Sequence, residues 1–263
     1  MTRAARRPRE FVGVRGLDAA AYLQAMVSND VEALLVGDAC EALLLTPRAR
    51  VIAPLVVLRR GVDDFLLLTE PGLGERVRTT LLRSRFAAKC EIEVEQHVST
   101  VVFGDVKGIS TGDYGERAVE VLDGEQDVTV GEHELELMRI RAGTTRFGRE
   151  IDDRVLPAEA GLEARAVSFE KGCYPGQEPI ARQHYRGRMN RTLRVLEIEA
   201  PELPQYDAEL LLDGKVVGRV TSAAGDGDHV VALAYVRVEV PPDATLRVGD
   251  RAVRQLDLPP GRP

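Results

Sequence analysis

The densest set of reactive side chains in the chain is Lys171-Gly172-Cys173-Tyr174-Pro175-Gly176-Gln177-Glu178. A thiol, an ammonium, an amide and a carboxylate fall within eight positions. Gly172 and Gly176 admit backbone geometries that other residues resist, and Pro175 stiffens the chain and removes a donor. Such a stretch suits a tight loop that holds polar groups against a small molecule better than the interior of a helix or strand. Cys173 is the candidate working thiol. A thiolate becomes useful once its pKa falls, which Lys171, Arg182 and Arg186 would promote if the fold brings them near. His184, eleven residues on, is the candidate base, but the local signatures of a Cys/His hydrolase are absent. The alternative for Cys173 is a packed small residue, because free cysteine behaves as a small hydrophobe.

The eight-residue motif resembles the signature of the folate-binding YgfZ family, which is related to the glycine-cleavage T-protein, an aminomethyltransferase. Two further segments extend the resemblance. Thr111-Gly112-Asp113-Tyr114-Gly115-Glu116 is similar to the T-protein's TG-x-x-GE element, whose Glu holds the pterin ring. Arg139-Ile140-Arg141-Ala142-Gly143 with Gly148-Arg149-Glu150 is similar to a run shared by both families, although Thr145 stands where YgfZ members usually have Pro. The likeness covers about residues 11–255.

The resemblance implies an α+β fold: a T-protein-like folate-binding body of interleaved α/β subdomains plus a C-terminal antiparallel β-barrel. The body is expected over 1–185, with an inserted subdomain near 47–97, and the barrel over 188–263. The implied cofactor is tetrahydrofolate or a 5-substituted reduced folate. The implied role is assembly or repair of iron–sulfur clusters, with client or assembly proteins as partners. Glu116 becomes the expected pterin anchor, since a carboxylate can accept both adjacent N–H donors of a pterin edge. Tyr114, Arg139, Lys171, Gln177 and Glu178 are expected around the same pocket, with Arg182 and Arg186 on the folate's glutamate tail. Cys173 would either ligate cluster iron or accept sulfur transiently, or react with a one-carbon unit or thiol near the folate. A T-protein-type aminomethyltransferase or demethylase is the alternative. That chemistry needs a carboxylate near N5 of the folate. The comparable region, Thr69–Arg76, lacks the T-protein's Asn and Asp, and Glu75 is a doubtful substitute.

Read for themselves, the same residues keep other meanings open. Glu116 is equally a surface carboxylate at a turn, and Arg139 with Glu150 a buried structural pair. Arg182, Arg186, Arg188 and Arg191 put four arginines in ten residues. They read as a hinge with solvated charges, as a surface for the folate tail, or least of all as a nucleic-acid patch, because stacking aromatics are sparse.

Composition bounds the rest. The 263 residues are 44% hydrophobic and 29% charged, as in a soluble globular protein. A net charge of −7 argues against nucleic acid as the main partner. No apolar run approaches the ~20 residues of a membrane span. Three dispersed cysteines, Cys40, Cys90 and Cys173, without a secretory signal point to a reducing, cytoplasmic setting. With four scattered histidines and no CxxC spacing, a resident metal site is not expected. Cys40 and Cys90 read as core residues.

The elements that must position the motif follow from periodicity. Phe11–Val14, Ala42–Thr46, Val51–Leu58, Phe65–Thr69, Ile92–Val94, Ala118–Leu122 and Val128–Val130 read as strands. Ala19–Met26, Gly74–Phe86 and Ala158–Ala166 read as helices, while 132–142 fits either. Ser28-Asn29-Asp30 is a turn or a ligand-facing loop. From Thr192 the style changes to short alternating strands, Thr192–Ile198, Glu209–Leu212, Lys215–Thr221, Val230–Val236 and Leu246–Val248, with Asp213-Gly214 as a hairpin turn. The basic start at Arg3, Arg6, Arg7 and Arg9 and the tail Pro259–Pro263 read as frayed ends.

Overall fold

The computed structural model describes residues 2–257, so the tail Pro259–Pro263 lies outside the described residues. Three sheets organise the chain. The first to be completed is five-stranded and takes its members from one continuous stretch: β2 (Glu10–Arg15), β3 (Ala39–Leu45), β4 (Val51–Gly61), β5 (Asp64–Thr69) and β6 (Glu91–Glu95), in the order β3-β4-β5-β2-β6. Helices α1 (Ala19–Met26) and α2 (Gly74–Ser84) cover one face. The alternation in β5 shows why. Phe65 and Leu67 point into the core that holds Leu23 of α1 and Val77 and Leu81 of α2, whereas Leu66 and Leu68 join Phe11 on the opposite face. Both faces are buried, so the strand reads as an unbroken apolar run.

A second sheet is split by this insertion. β1 (Arg3–Arg6) precedes it, and β7 (Ser99–Phe103), β8 (Ile109–Thr111) and β9 (Ala118–Leu122) follow, giving the order β1-β7-β9-β8. The basic start is therefore a paired strand, not a frayed end. Ala4 and Ala5 are buried, paired with Val102 and Val101. The inserted unit also begins at Glu10 rather than near 47. Residues 128–130 form no strand; Thr129 and Val130 donate their N–H groups to the Ala4 carbonyl instead. The ambiguous segment is helix α3 (Glu132–Arg141), which buries Leu135 and Ile140.

The region 158–166 condenses to one short turn, α4 (Glu163–Ala166), rather than a full helix. A helix that local pattern did not suggest, α5 (Gln177–Arg186), starts inside the central motif. Beyond it β10 (Arg191–Ile198), β11 (Glu209–Leu212), β12 (Lys215–Asp226), β13 (His229–Arg237), β14 (Leu246–Val248) and β15 (Arg251–Leu256) close into a six-stranded antiparallel barrel, β15 pairing back onto β10. Alternation again assigns the faces. Val230, Ala232, Ala234 and Val236 fill the barrel, and Val231, Leu233 and Tyr235 pack outward against the body. That outward layer includes Ile140, Tyr174 and Ile180, so barrel, α3 and α5 share one core. Fully burying each such aliphatic side chain contributes roughly 1.5–3 kcal/mol.

Candidate functional site

A cavity of about 740 Å³ opens where the two sheets, α3 and the barrel strand β12 meet. Its apolar wall comes from Leu43, Leu55, Val56, Leu135 and Phe147. Its polar wall is built of guanidinium–carboxylate pairs. Pro8 divides Arg7 from Arg9 just after β1, and both side chains turn onto Glu120 of β9: Arg9 through two bonds of 2.9 and 3.0 Å, Arg7 at 3.1 Å. Arg7 also holds Asp113 at 2.5 Å, and Arg165 bridges Asp113 and Glu41, both at 3.1 Å. Burial alone would push the Glu120 carboxyl up, but Arg9, Arg7 and the Ser99 hydroxyl hold it down at about 2. The same contest, won by Arg7 and Arg165, keeps Asp113 far below the usual carboxylate range.

Arg139 lines the cavity from α3 and is almost wholly buried. It holds Glu136 at 2.7 Å, Glu150 at 3.2 Å and the Thr144 carbonyl. Arg139 therefore stands on the cavity wall and is at the same time one half of a buried ion pair with Glu150. Tyr114 also lines the cavity; its ring packs edge-on against Phe103 with the Arg7 guanidinium 5.5 Å from its centroid.

Glu116 is placed elsewhere. It is half-exposed, outside the cavity lining, and ion-paired to Arg3 at 3.1 Å. The turn at Gly112–Gly115 delivers Asp113 and Tyr114 inward, and the chain has left the cavity by Glu116. Glu75 likewise faces solvent on α2 with Arg78. The carboxylate that the 69–76 segment does bring in is Glu70, directly after β5. Both its oxygens lie 3.0 Å from the single Phe147 N–H. Burial raises its pKa, with the Phe147 N–H and the charges of Arg9, Arg146 and Arg7 opposing. Thr145, on the same cavity lining, carries a buried hydroxyl that meets no hydrogen-bond partner among the described residues.

The central motif lies beside this cavity in the fold but not on its lining. Lys171 plugs the end of α1: its ammonium donates to the carbonyls of Gln24, Val27 and Asn29 at 2.5, 2.7 and 2.8 Å. The Gln24 and Val27 carbonyls belong to the helix end, whose last carbonyls lack intrahelical partners, and Asn29 lies just beyond it. Burial lowers its pKa to about 8. The Ser28–Asp30 segment serves as the matching brace. Ser28 accepts the Leu43 N–H and donates to the Ala166 carbonyl, and Asn29 donates to the Glu41 and Arg165 carbonyls. Tyr174 is buried in the shared core. Gly176 sits at φ +86°, and a Cβ there would stand 2.7 Å from the Thr46 carbonyl oxygen. Anchored on both sides, the loop presents Cys173 to solvent, the one exposed thiol of the three. Cys40 is partly buried, and burial pushes its pKa up to about 12; Cys90 is fully inside.

Gln177 opens α5, and Glu178 pairs outward with Arg182 at 2.7 Å. Arg182 and Arg186 are exposed on α5, away from the cavity lining. His184 stacks on Phe169 at 4.0 Å and faces Glu163 at 3.4 Å, a different setting from that of a base on Cys173. The guanidiniums that do line the cavity are Arg6, Arg7, Arg9, Arg139, Arg146 and Arg165. Sequence reasoning missed most of these because it read the basic start as unpaired. Two alanines flanked by arginines, next to an Arg-Pro-Arg run, were the available signal. Among the described residues no cluster of metal-ligating side chains occurs, and no helix is long and apolar enough to cross a membrane.

No family model matches the chain. An aminomethyltransferase of Rippkaea orientalis is 26% identical over 276 residues, 85% of this chain and 74% of its own length. The tRNA-modifying protein YgfZ of Serratia proteamaculans is 33% identical over 158 residues, which cover 58% of this chain and 48% of that protein. An uncharacterized protein of Haemophilus influenzae is 24% identical over 81% of both chains. Among solved structures, the glycine cleavage system aminomethyltransferase T of Bartonella henselae matches with a TM-score of 0.84 over 98% of this chain and 86% of that one, at 20% identity. Two interleaved α/β units and a closed C-terminal barrel are the fold of the glycine cleavage system aminomethyltransferase T. In sequence the chain is similar to the tRNA-modifying YgfZ proteins and, at lower identity, to aminomethyltransferases.

Proposed function

We propose that the protein binds a reduced folate in the 740 Å³ cavity and serves the assembly or repair of iron–sulfur clusters in client enzymes, with Cys173 as the working thiol. The observation that carries the folate reading is the two-sided cavity wall. Its volume is in the usual range for a site that encloses a small ligand. Leu43, Leu55, Val56, Leu135 and Phe147 suit a flat ring system. Glu70 offers unspent hydrogen-bonding capacity to a heterocycle. Arg6, exposed at the rim and without a bonded partner among the described residues, suits the carboxylates of a glutamate tail. A bound reduced folate would supply a one-carbon unit. The chain's own residues would orient it and exclude water from its ring.

The position of Cys173 bears on its role. An exposed thiol on a braced loop, off the cavity lining, fits contact with a macromolecular client or a cluster better than attack on the cavity's ligand. Relatives whose printed name is tRNA-modifying protein are compatible with such an indirect role, since a cluster is cargo here rather than a resident cofactor.

Calorimetric titration with 5-formyl-tetrahydrofolate tests the cavity. Wild type should bind. Gly225→Trp should not, because Gly225 lines the cavity and a side chain there meets open space. Absence of binding by wild type to any reduced folate would overturn the reading. For the thiol, Cys173→Ser should keep folate binding and fail to restore iron–sulfur enzyme activity in cells lacking the protein. The second reading, a T-protein-type transferase, is favoured by the fold match and by sequence likeness to aminomethyltransferases. Folate-dependent aminomethyl or methyl transfer by the purified chain would establish it.

A further inference from the structure

We propose that Glu70 is the residue that selects the ligand's heterocycle, accepting two adjacent N–H donors such as those of a 2-amino-4-oxopyrimidine edge. This rests on the folate reading above and names its specificity determinant. The case is one of elimination among the carboxylates that line the cavity. Asp113, Glu41 and Glu136 are each bonded to guanidinium groups, from Arg7 and Arg165, from Arg165, and from Arg139 and Arg146. Glu132 stands exposed on the first turn of α3. Among the described residues Glu70 alone of these lies inward with no guanidinium bonded to it, and its two oxygens share one backbone N–H. A carboxylate offers about four acceptor positions, so most of its capacity is uncommitted. A partly buried anion left in that state is stabilised by a partner that brings a pair of donors at the spacing of its two oxygens.

Position supports the same role. Glu70 follows the fully buried Thr69, whose hydroxyl is fixed to the Pro54 carbonyl at 2.9 Å, so the backbone carrying Glu70 is held by β4 and β5. Phe147, whose N–H steadies the carboxylate, also contributes to the apolar wall. One residue pair thus joins an acceptor to a flat apolar surface, which is what a planar heterocycle with one polar edge requires.

The test compares 6-methylpterin with 6-methyllumazine, which replaces the 2-amino group by oxygen and so removes one donor of the pair. Binding of both is measured by calorimetry alongside 5-formyl-tetrahydrofolate. Wild type should prefer the pterin at least tenfold, and Glu70→Gln should erase the preference and weaken the folate tenfold to a hundredfold, the scale of a charge-assisted hydrogen-bond pair. Glutamine keeps an oxygen for the Phe147 N–H, and an unchanged melting temperature confirms the fold. Glu116→Gln, outside the cavity lining, should keep the preference. If wild type binds the folate but Glu70→Gln retains the full preference, or Glu116→Gln loses it, this assignment is overturned and the folate reading stands. If wild type binds none of the three, both fall.

Discussion

Arg139 and Glu150 meet 3.2 Å apart at the joint between the body and the barrel, and each is nearly or wholly buried. Glu150 also accepts the Thr221 hydroxyl of β12 at 2.6 Å, and its backbone carbonyl accepts the Tyr235 hydroxyl of β13 at 2.9 Å. Arg139 in turn holds Glu136 and the Thr144 carbonyl. One ion pair therefore ties the cavity wall to the barrel.

Removing Glu150 takes from the buried Arg139 one of its two carboxylates, with Glu136 left, and from the Arg146 N–H its acceptor, a loss of about 1–3 kcal/mol. Glu150→Ala should lose that much in urea denaturation. The double replacement Arg139→Met with Glu150→Leu should recover part of it, since no buried guanidinium is then left short of a carboxylate. Equal losses in the single and double variants would show that the pair is not what holds the joint.

Acid should loosen the cavity through Glu120. Its folded pKa of about 2 lies below the unfolded carboxylate value, so its stabilisation is fully present above about pH 4.5 and disappears as pH falls toward 2. The shift corresponds to about 3 kcal/mol at neutral pH. Glu120→Gln should lower stability at pH 7 and flatten its dependence between pH 5 and 2. It should also weaken ligand binding, because Arg7 and Arg9 lose the carboxylate that aims them.

Lys171 tethers the central loop to α1. Lys171→Met strands three carbonyls near the helix end and should cost about 1–3 kcal/mol. Hydrogen exchange should then accelerate at 24–30 and at 171–176 together. Acceleration confined to one of the two segments would argue that the brace runs through Ser28 instead.

The three thiols should separate by exposure. Brief alkylation of the folded protein should modify Cys173 first, leaving Cys90 and Cys40 until unfolding, as mass spectrometry of peptides would read. Gly176→Ala should disturb this pattern, because a Cβ at φ +86° would press on the Thr46 carbonyl and shift the loop that carries Cys173.

Much of the architecture was already present in local pattern. Alternation over 192–198, 209–212 and 230–236 specified barrel strands whose two faces are both apolar, and the apolar period of 19–26 and 74–84 specified helices with one buried stripe. The motif at 171–178 announced a loop holding a thiol, and the likeness to YgfZ proteins could be read from it. Local pattern specifies which face of an element is buried, but not what is packed against it. Tertiary structure decided that Arg3–Arg6 is a strand, because its partner β7 lies about a hundred residues away. It made Lys171 a plug for α1, since the three carbonyls it meets belong to a distant segment. It also carried Glu116 outside and Glu70 inside the cavity. Both are single carboxylates beside a turn, and only the closure of two sheets around a common space distinguishes one from the other.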